Sequence, residues 1–136
     1  MLRVVICGAT GLGNLNALKS LYLQKKSLMG SIPLELGKLT NLSKIDFSKN
    51  KLIGEIPESL SNIKSLKRLY MFGNKLHGSI SSSFAEMQNL EILHLWVNNL
   101  SGILPPNLRQ FGSLKGLDLL VVEFPNTCAK AKNFMS

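Results

Sequence analysis

Leucines recur every 24 residues along this chain, and no other feature constrains its fold so tightly. Leu18, Leu42, Leu66, Leu90 and Leu114 form one column at that step, and Leu21, Ile45, Leu69, Leu93 and Leu117 form a second. Leu23, Phe47, Met71, Leu95 and Leu119 make a third, and Leu28, Leu52, Leu76 and Leu100 a fourth. Asn50, Asn74 and Asn98 keep the same register, as do Gly30, Gly54, Gly78 and Gly102. Pro33, Pro57 and Pro105 complete the pattern, with Ser81 in place of the proline once. The unit is LxxLxxLxLxxNxLxGxIPxxLxxL. A period in this range marks a solenoid, in which no unit covers its own apolar edge and only stacking buries it. Four complete repeats exceed the minimum of about three that such a stack needs.

Each part of the unit has a local physical reading. In Leu69-Tyr70-Met71 the apolar residues alternate with period 2, which predicts a short strand with one buried and one open face. The asparagine amide suits the bend that follows, because it bonds backbone groups left over where the strand ends. Repeated in register, Asn50, Asn74 and Asn98 predict a hydrogen-bonded ladder. The glycine permits a tight turn, and the Ile-Pro pair leads into an extended or 3₁₀-like segment, since proline fixes φ and donates no hydrogen bond. Lys26 replaces the asparagine in the first full repeat, which predicts a lost rung. Val122 takes that place in the fifth, after which no register remains. The expected organisation is a partial repeat or degenerate cap over 1–14, repeats over 15–119 and an irregular tail over 120–136.

The opening stretch LRVVICGATGLGNL raises a competing reading, a strand and glycine-rich loop for a dinucleotide phosphate. That reading needs a full helix, a second strand and an acidic residue about 20 positions on. The chain instead continues NLNALKSLYLQKKSL, already in repeat register, and Gly13 maps onto Gly37 one period later. The chain reads as non-catalytic, and no cofactor or metal is implied.

Composition narrows the partners. The 136 residues carry a net charge of +8, which favours anionic partners in general. The lysines are spread along the chain rather than massed, so they read as a solvated surface and not as a nucleic-acid site. No run approaches the roughly 20 apolar residues of a membrane span, and the apolar start is too short for a convincing signal peptide. Cys7 and Cys128 lie about five repeats apart; at about 4.8 Å per strand they are too distant for a mutual disulfide. Asn41-Leu42-Ser43 and Asn99-Leu100-Ser101 match the N-glycosylation acceptor pattern and fit secretion.

The repeat LTNLSKIDFSKNKLIGEIPESLSNI, residues 39–63, resembles the plant-type extracellular leucine-rich repeat, and the resemblance covers residues from about 12 to 119. It implies an α/β repeat fold: a right-handed solenoid with a short parallel β-sheet on the concave face and 3₁₀ or irregular segments on the convex face. The concave columns are then Ser20, Lys44, Arg68, Ile92 and Gly116; Tyr22, Asp46, Tyr70, His94 and Asp118; and Gln24, Ser48, Phe72, Trp96 and Leu120. Tyr70, Phe72, His94 and Trp96 are expected to form one exposed aromatic patch flanked by Arg68 and Asp46, a type of surface that anchors a bound chain.

The stretch NKLHGSISSSFAEMQNLEILHLWVNNLSGILPPNL is similar to repeats of CLAVATA-type receptor-like kinases, most closely over residues 90–102. Such receptors bind short secreted peptides in extended form along the concave face, recruit a co-receptor with the same repeat type and signal through a cytoplasmic kinase. Carried over by position, the ligand contacts fall on Tyr70, Phe72, His94 and Trp96, and the flanking Asp46 and Arg68 complete the candidate binding residues. The paired arginines that hold a peptide's carboxyl end in that family have no evident counterpart. Neither kinase signatures nor the cysteine-bonded caps of complete ectodomains are visible, so the chain is expected to be a piece of a longer receptor or a truncated product acting as a decoy. The alternative of the same fold is a defence protein similar to polygalacturonase inhibitors, which bind a fungal enzyme through charged concave residues.

Overall fold

A computed structural model describes residues 16–108 and the strand at 116–118. The first cap, the glycine-rich opening, both cysteines and the tail over 120–136 lie outside the described residues.

Each repeat contributes one three-residue strand to a parallel five-stranded sheet. The order is β1 (Ser20–Tyr22), β3 (Lys44–Asp46), β5 (Arg68–Tyr70), β7 (Ile92–His94) and β9 (Gly116–Asp118). The pairing register equals the sequence period at every step: Leu21 faces Ile45, Ile45 faces Leu69, Leu69 faces Leu93 and Leu93 faces Leu117. The short strands follow from the pattern, because only one residue of each points inward before the chain must turn. From Asn16 onward the chain forms turn and strand. The helix that a dinucleotide site requires after Gly13 is therefore replaced by repeat structure.

The core is the inside of the coil. Ile45, Leu69 and Leu93 are buried behind the sheet, with Phe47, Met71 and Leu95 one column on. Leu28, Leu52, Leu76 and Leu100 close the turn, and Leu36, Leu60, Phe84 and Leu108 seal the far side. That far side carries 3₁₀ turns at Leu34–Lys38, Glu58–Asn62 and Ser82–Glu86. Pro33 and Pro57 precede the first two in extended conformation. Ser81 takes the same conformation with φ −62° and caps its turn by accepting from the Ser83 N–H, so one serine replaces the proline's steric role with a hydrogen bond. Successive turns stack closely: a Cβ on Gly37 would lie 2.8 Å from the Ser59 Cβ, so this position takes no side chain.

The asparagine ladder forms as the sequence predicts. Asn74 Oδ1 accepts from the Leu52 N–H one repeat earlier at 3.1 Å, and its Nδ2 donates to the carbonyls of Phe47 and Met71, both at 3.0 Å. Asn98 does the same with Leu76, Met71 and Leu95. Phe47 and Met71 each receive two asparagines, so the rungs are continuous. Asn50 accepts from both Lys26 and Leu28, so the backbone of the repeat that lacks its own asparagine is still satisfied from its neighbour.

Three features depart from the sequence reading. A second layer of strands follows each ladder residue: β2 (Met29–Ser31) pairs with β4 (Lys51–Ile53), and β6 (His77–Gly78) pairs with β8 (Asn99–Leu100). A bridge between Glu55 and His77 links the two pairs. In these strands only Leu52 of β4 and Leu100 of β8 are buried apolar residues, too few to show an alternation. Their register is staggered, with Gly30 opposite Leu52 and Gly78 opposite Leu100.

The repeat glycines Gly30, Gly54, Gly78 and Gly102 are left-handed at φ of 80–88°, as a tight turn requires, and a second left-handed position, which the sequence did not show, precedes the ladder: Lys25, Lys49 and Val97 have φ of 53–55°, and Gly73 has 71°. Where Lys26 stands for asparagine, Ser27 is left-handed too, at 53°. Finally, the side chain before each LxxL joins neighbouring repeats on the far edge: Asn41 donates to the Asn16 carbonyl, Ser65 to Thr40 and Asn89 to Lys64.

Candidate functional site

Strand pairing sets the outward columns. Tyr22, Asp46, Tyr70 and His94 face one another in sequence across the sheet, and Lys44 lies between Ser20 and Arg68 in the adjoining column. Phe72 and Trp96 follow their strands by two residues, before the left-handed turn.

The four predicted rings meet. The Tyr70 and His94 rings pack edge-on at 5.1 Å between centroids with planes 86° apart. Phe72 lies 6.5 Å from His94 and stacks on Trp96 at 4.4 Å with only 5° between the planes. Such offset and edge arrangements are the favoured ones for aromatic pairs and add about 0.5–1.5 kcal/mol each beyond area burial. Because the rings cover one another they are half-buried, not exposed as expected from the sequence. Among the described residues the exposed aromatic is Tyr22, at 51%. The Trp96 indole Nε1 is buried and finds no acceptor among the described residues.

The flanking charges are placed differently from one another. Arg68 is exposed at the start of β5. Asp46 is half-buried, and its Oδ1 accepts from the Ser48 N–H at 3.0 Å and from the Ser48 hydroxyl at 2.6 Å. One carboxylate oxygen is thus already committed within its own turn. Ser48 itself is buried at 4%: a small residue with its hydroxyl turned onto Asp46 is covered where Phe72 and Trp96 stay half-buried.

Sequence reasoning missed two cations. Lys44 Nζ lies 4.7 Å from the Tyr22 ring centre and 5.3 Å from that of Tyr70, spanning the gap that the shorter Asp46 leaves between them. Lys49 Nζ lies 6.0 Å from the Phe72 ring. Both are cation–π distances. The signal for Lys44 was present in the columns, since it sits one register diagonal from two tyrosines. The signal for Lys49 was not, because its direction depends on the left-handed turn. Together with Arg68, these side chains give the concave face a cationic margin beside an aromatic floor.

Among the described residues no cluster of His, Cys, Asp and Glu could hold a metal, and no helix is long and apolar enough to cross a membrane.

Sequence comparison matches the Leucine Rich Repeat family model to residues 41–63, 65–87 and 89–111. The chain belongs to the leucine-rich repeat family. Plant receptor proteins are among its solved structural relatives. A TDR receptor is 42% identical with TM-score 0.79, over 85% of this chain and 20% of the receptor's. The Arabidopsis receptor kinase HAESA ectodomain, solved with an N-terminally extended IDA peptide hormone ligand, is 36% identical with TM-score 0.80, over 83% of this chain and 19% of its own. The Arabidopsis BIR3–SERK2 complex matches at 36% identity and TM-score 0.74, over 78% of this chain and 57% of that one. The chain therefore spans about a fifth of the two receptor ectodomains. No curated protein matches it. The fold is that of part of a plant receptor-kinase ectodomain, a typically non-catalytic framework.

Proposed function

We propose that this leucine-rich repeat chain is a peptide-recognition segment on the extracellular side of a plant receptor, and that it binds an extended secreted peptide across the concave ends of β3, β5 and β7. The observation that carries the reading is the contiguous ring cluster of Tyr70, Phe72, His94 and Trp96, drawn from two adjacent repeats on a rigid sheet. Its support from comparison is the HAESA structure, whose repeats share this fold and hold a peptide hormone. Phe72 and Trp96 serve as a flat apolar anchor, Tyr70 and His94 supply polar ring edges, and Arg68 and Lys44 stand ready for acidic groups. Asp46 contributes its uncommitted oxygen. The BIR3–SERK2 relative shows two plant proteins in one complex. By analogy a second protein with the same repeat type is the proposed co-receptor.

The test is calorimetric titration of the full chain with a panel of secreted plant peptides. Aromatic anchors at the centre of an interface carry about 2 kcal/mol or more each. Trp96→Ala and Phe72→Ala are expected to weaken a binding peptide by at least roughly 30-fold while circular dichroism is unchanged. Intact binding in both folded variants removes the ring cluster from the ligand site. A pull-down of a pectin-degrading enzyme, with no peptide bound, favours the inhibitor-like alternative instead.

A further inference from the structure

The two N-glycosylation acceptor sequences are equivalent as motifs and different in the fold. Asn41 belongs to a second inter-repeat rail. It donates through Nδ2 to the Asn16 carbonyl at 2.6 Å, as Ser65 donates to Thr40 at 2.6 Å and Asn89 to Lys64 at 2.8 Å. Each of these bonds runs back 25 residues and ties a repeat to its predecessor. Asn99 occupies a different column, with Ser27, Lys51 and Lys75, and all four are exposed. Its backbone N–H pairs with the Leu76 carbonyl in β8 at 2.8 Å, while its carboxamide bonds to no described residue. Ser101, the third residue of that sequence, is also exposed.

We infer that Asn99 is the N-glycan acceptor of the folded protein and that Asn41 is a structural rung. The inference rests on the extracellular placement proposed above. In the transfer, the Asn99 amide nitrogen attacks the first sugar's C1 on a lipid-diphosphate oligosaccharide. The C1–N bond forms, the C1–O bond breaks, the lipid diphosphate leaves with the electron pair, and one amide proton is released. The acceptor thus exchanges one of its two N–H bonds for a sugar. At Asn99 neither N–H is in use, and the lysines one and two repeats earlier show that long side chains at this position reach solvent. At Asn41 one of the two N–H bonds is already given to the Asn16 carbonyl at 2.6 Å, so a sugar could take only the other and would have to fit against the contact between the repeats. The Asn99 strand lies in the second layer rather than in the sheet that carries the four rings, so a glycan there leaves the concave face open.

The experiment uses the full chain, secreted from plant cells behind a leader peptide. Enzymatic deglycosylation in ¹⁸O-water converts each occupied asparagine to labelled aspartate, which is mapped by mass spectrometry in the folded, secreted fraction. Label is expected at residue 99, with little at residue 41. Asn99→Gln and Ser101→Ala each remove it. Asn41→Gln retains it and lowers the melting temperature; Ser43→Ala, which keeps the Asn41 amide, also retains it, so the assignment stays testable if Asn41→Gln does not fold. Residue 41 labelled as strongly as residue 99, or residue 99 unlabelled in secreted protein, overturns the inference. Neither result touches peptide binding, and loss of peptide binding leaves the glycan map unchanged, so the two readings fail separately.

Discussion

Replacing Asn74 with alanine tests the ladder where it is most exposed to failure, in the middle of the stack. Asn74 is buried at 7% and makes three bonds of 3.0–3.1 Å, with a longer one to the Phe72 carbonyl at 3.5 Å. Their losses are unequal. The Phe47 carbonyl keeps a donor from Asn50 at 2.8 Å, and the Met71 carbonyl keeps one from Asn98 at 3.0 Å. The Leu52 N–H has no such reserve and is left buried and unpaired. An orphaned buried donor costs about 1–3 kcal/mol, and each of the two thinned carbonyls about 0.5 kcal/mol more, for a total near 3 kcal/mol. In a protein of this size that corresponds to a fall in melting temperature of roughly 10 °C. Because solenoid stability is a sum over repeats and their interfaces, the loss also uncouples the two halves. The assay is urea unfolding, followed in parallel by far-ultraviolet circular dichroism and by fluorescence of Trp96, the single tryptophan, one repeat beyond the mutation. The control is Asn89→Ala, which removes one exposed bond and is worth about 1 kcal/mol or less. Equal midpoints for the two variants, or an unchanged midpoint for Asn74→Ala, refute the view that the ladder's buried N–H partners hold the repeats together.

Two further outcomes follow from local geometry. Val97 is a half-exposed β-branched residue at φ 53°, in a column where the preceding repeat has Gly73; relief of left-handed strain of about 1–2 kcal/mol, less glycine's entropic cost of about 0.5–1 kcal/mol, makes Val97→Gly stabilising by up to about 1 kcal/mol, and a lower urea midpoint contradicts this. The Ser83 and Ser81 hydroxyls hold the Glu58 carboxyl below the usual carboxylate range. Their contribution is therefore present above the unfolded glutamate pKa and is lost as pH falls through the folded one. In a carbon-detected titration Glu58 should titrate below the ordinary glutamate value and move upward in Ser83→Ala, and no movement would show that the hydroxyl bond is not the cause.

The repeat, the sheet, the core columns and the ladder were legible in the sequence because each depends on one rule applied at a fixed period. A leucine that faces inward at position 69 must do so at 45 and 93, since all three sit at equivalent points of one coil. The four rings could be placed together for the same reason, as neighbours in register. What the sequence could not supply were properties that belong to pairs of side chains rather than to columns. Whether Phe72 stands apart or lies flat on Trp96 is decided by the space between two strands. Whether Asp46 is free depends on where Ser48 turns its hydroxyl, and Lys44 becomes part of the site only because the residue beside it is short. The second strand layer escaped notice because a two- or three-residue strand has no period to read. The left-handed residue before each ladder asparagine is set by closure of the turn, which imposes the same conformation on lysine, glycine and valine. Periodicity determined the scaffold, because stacking repeats one environment many times; the tertiary structure alone decided the surface, because there each side chain meets a different neighbour.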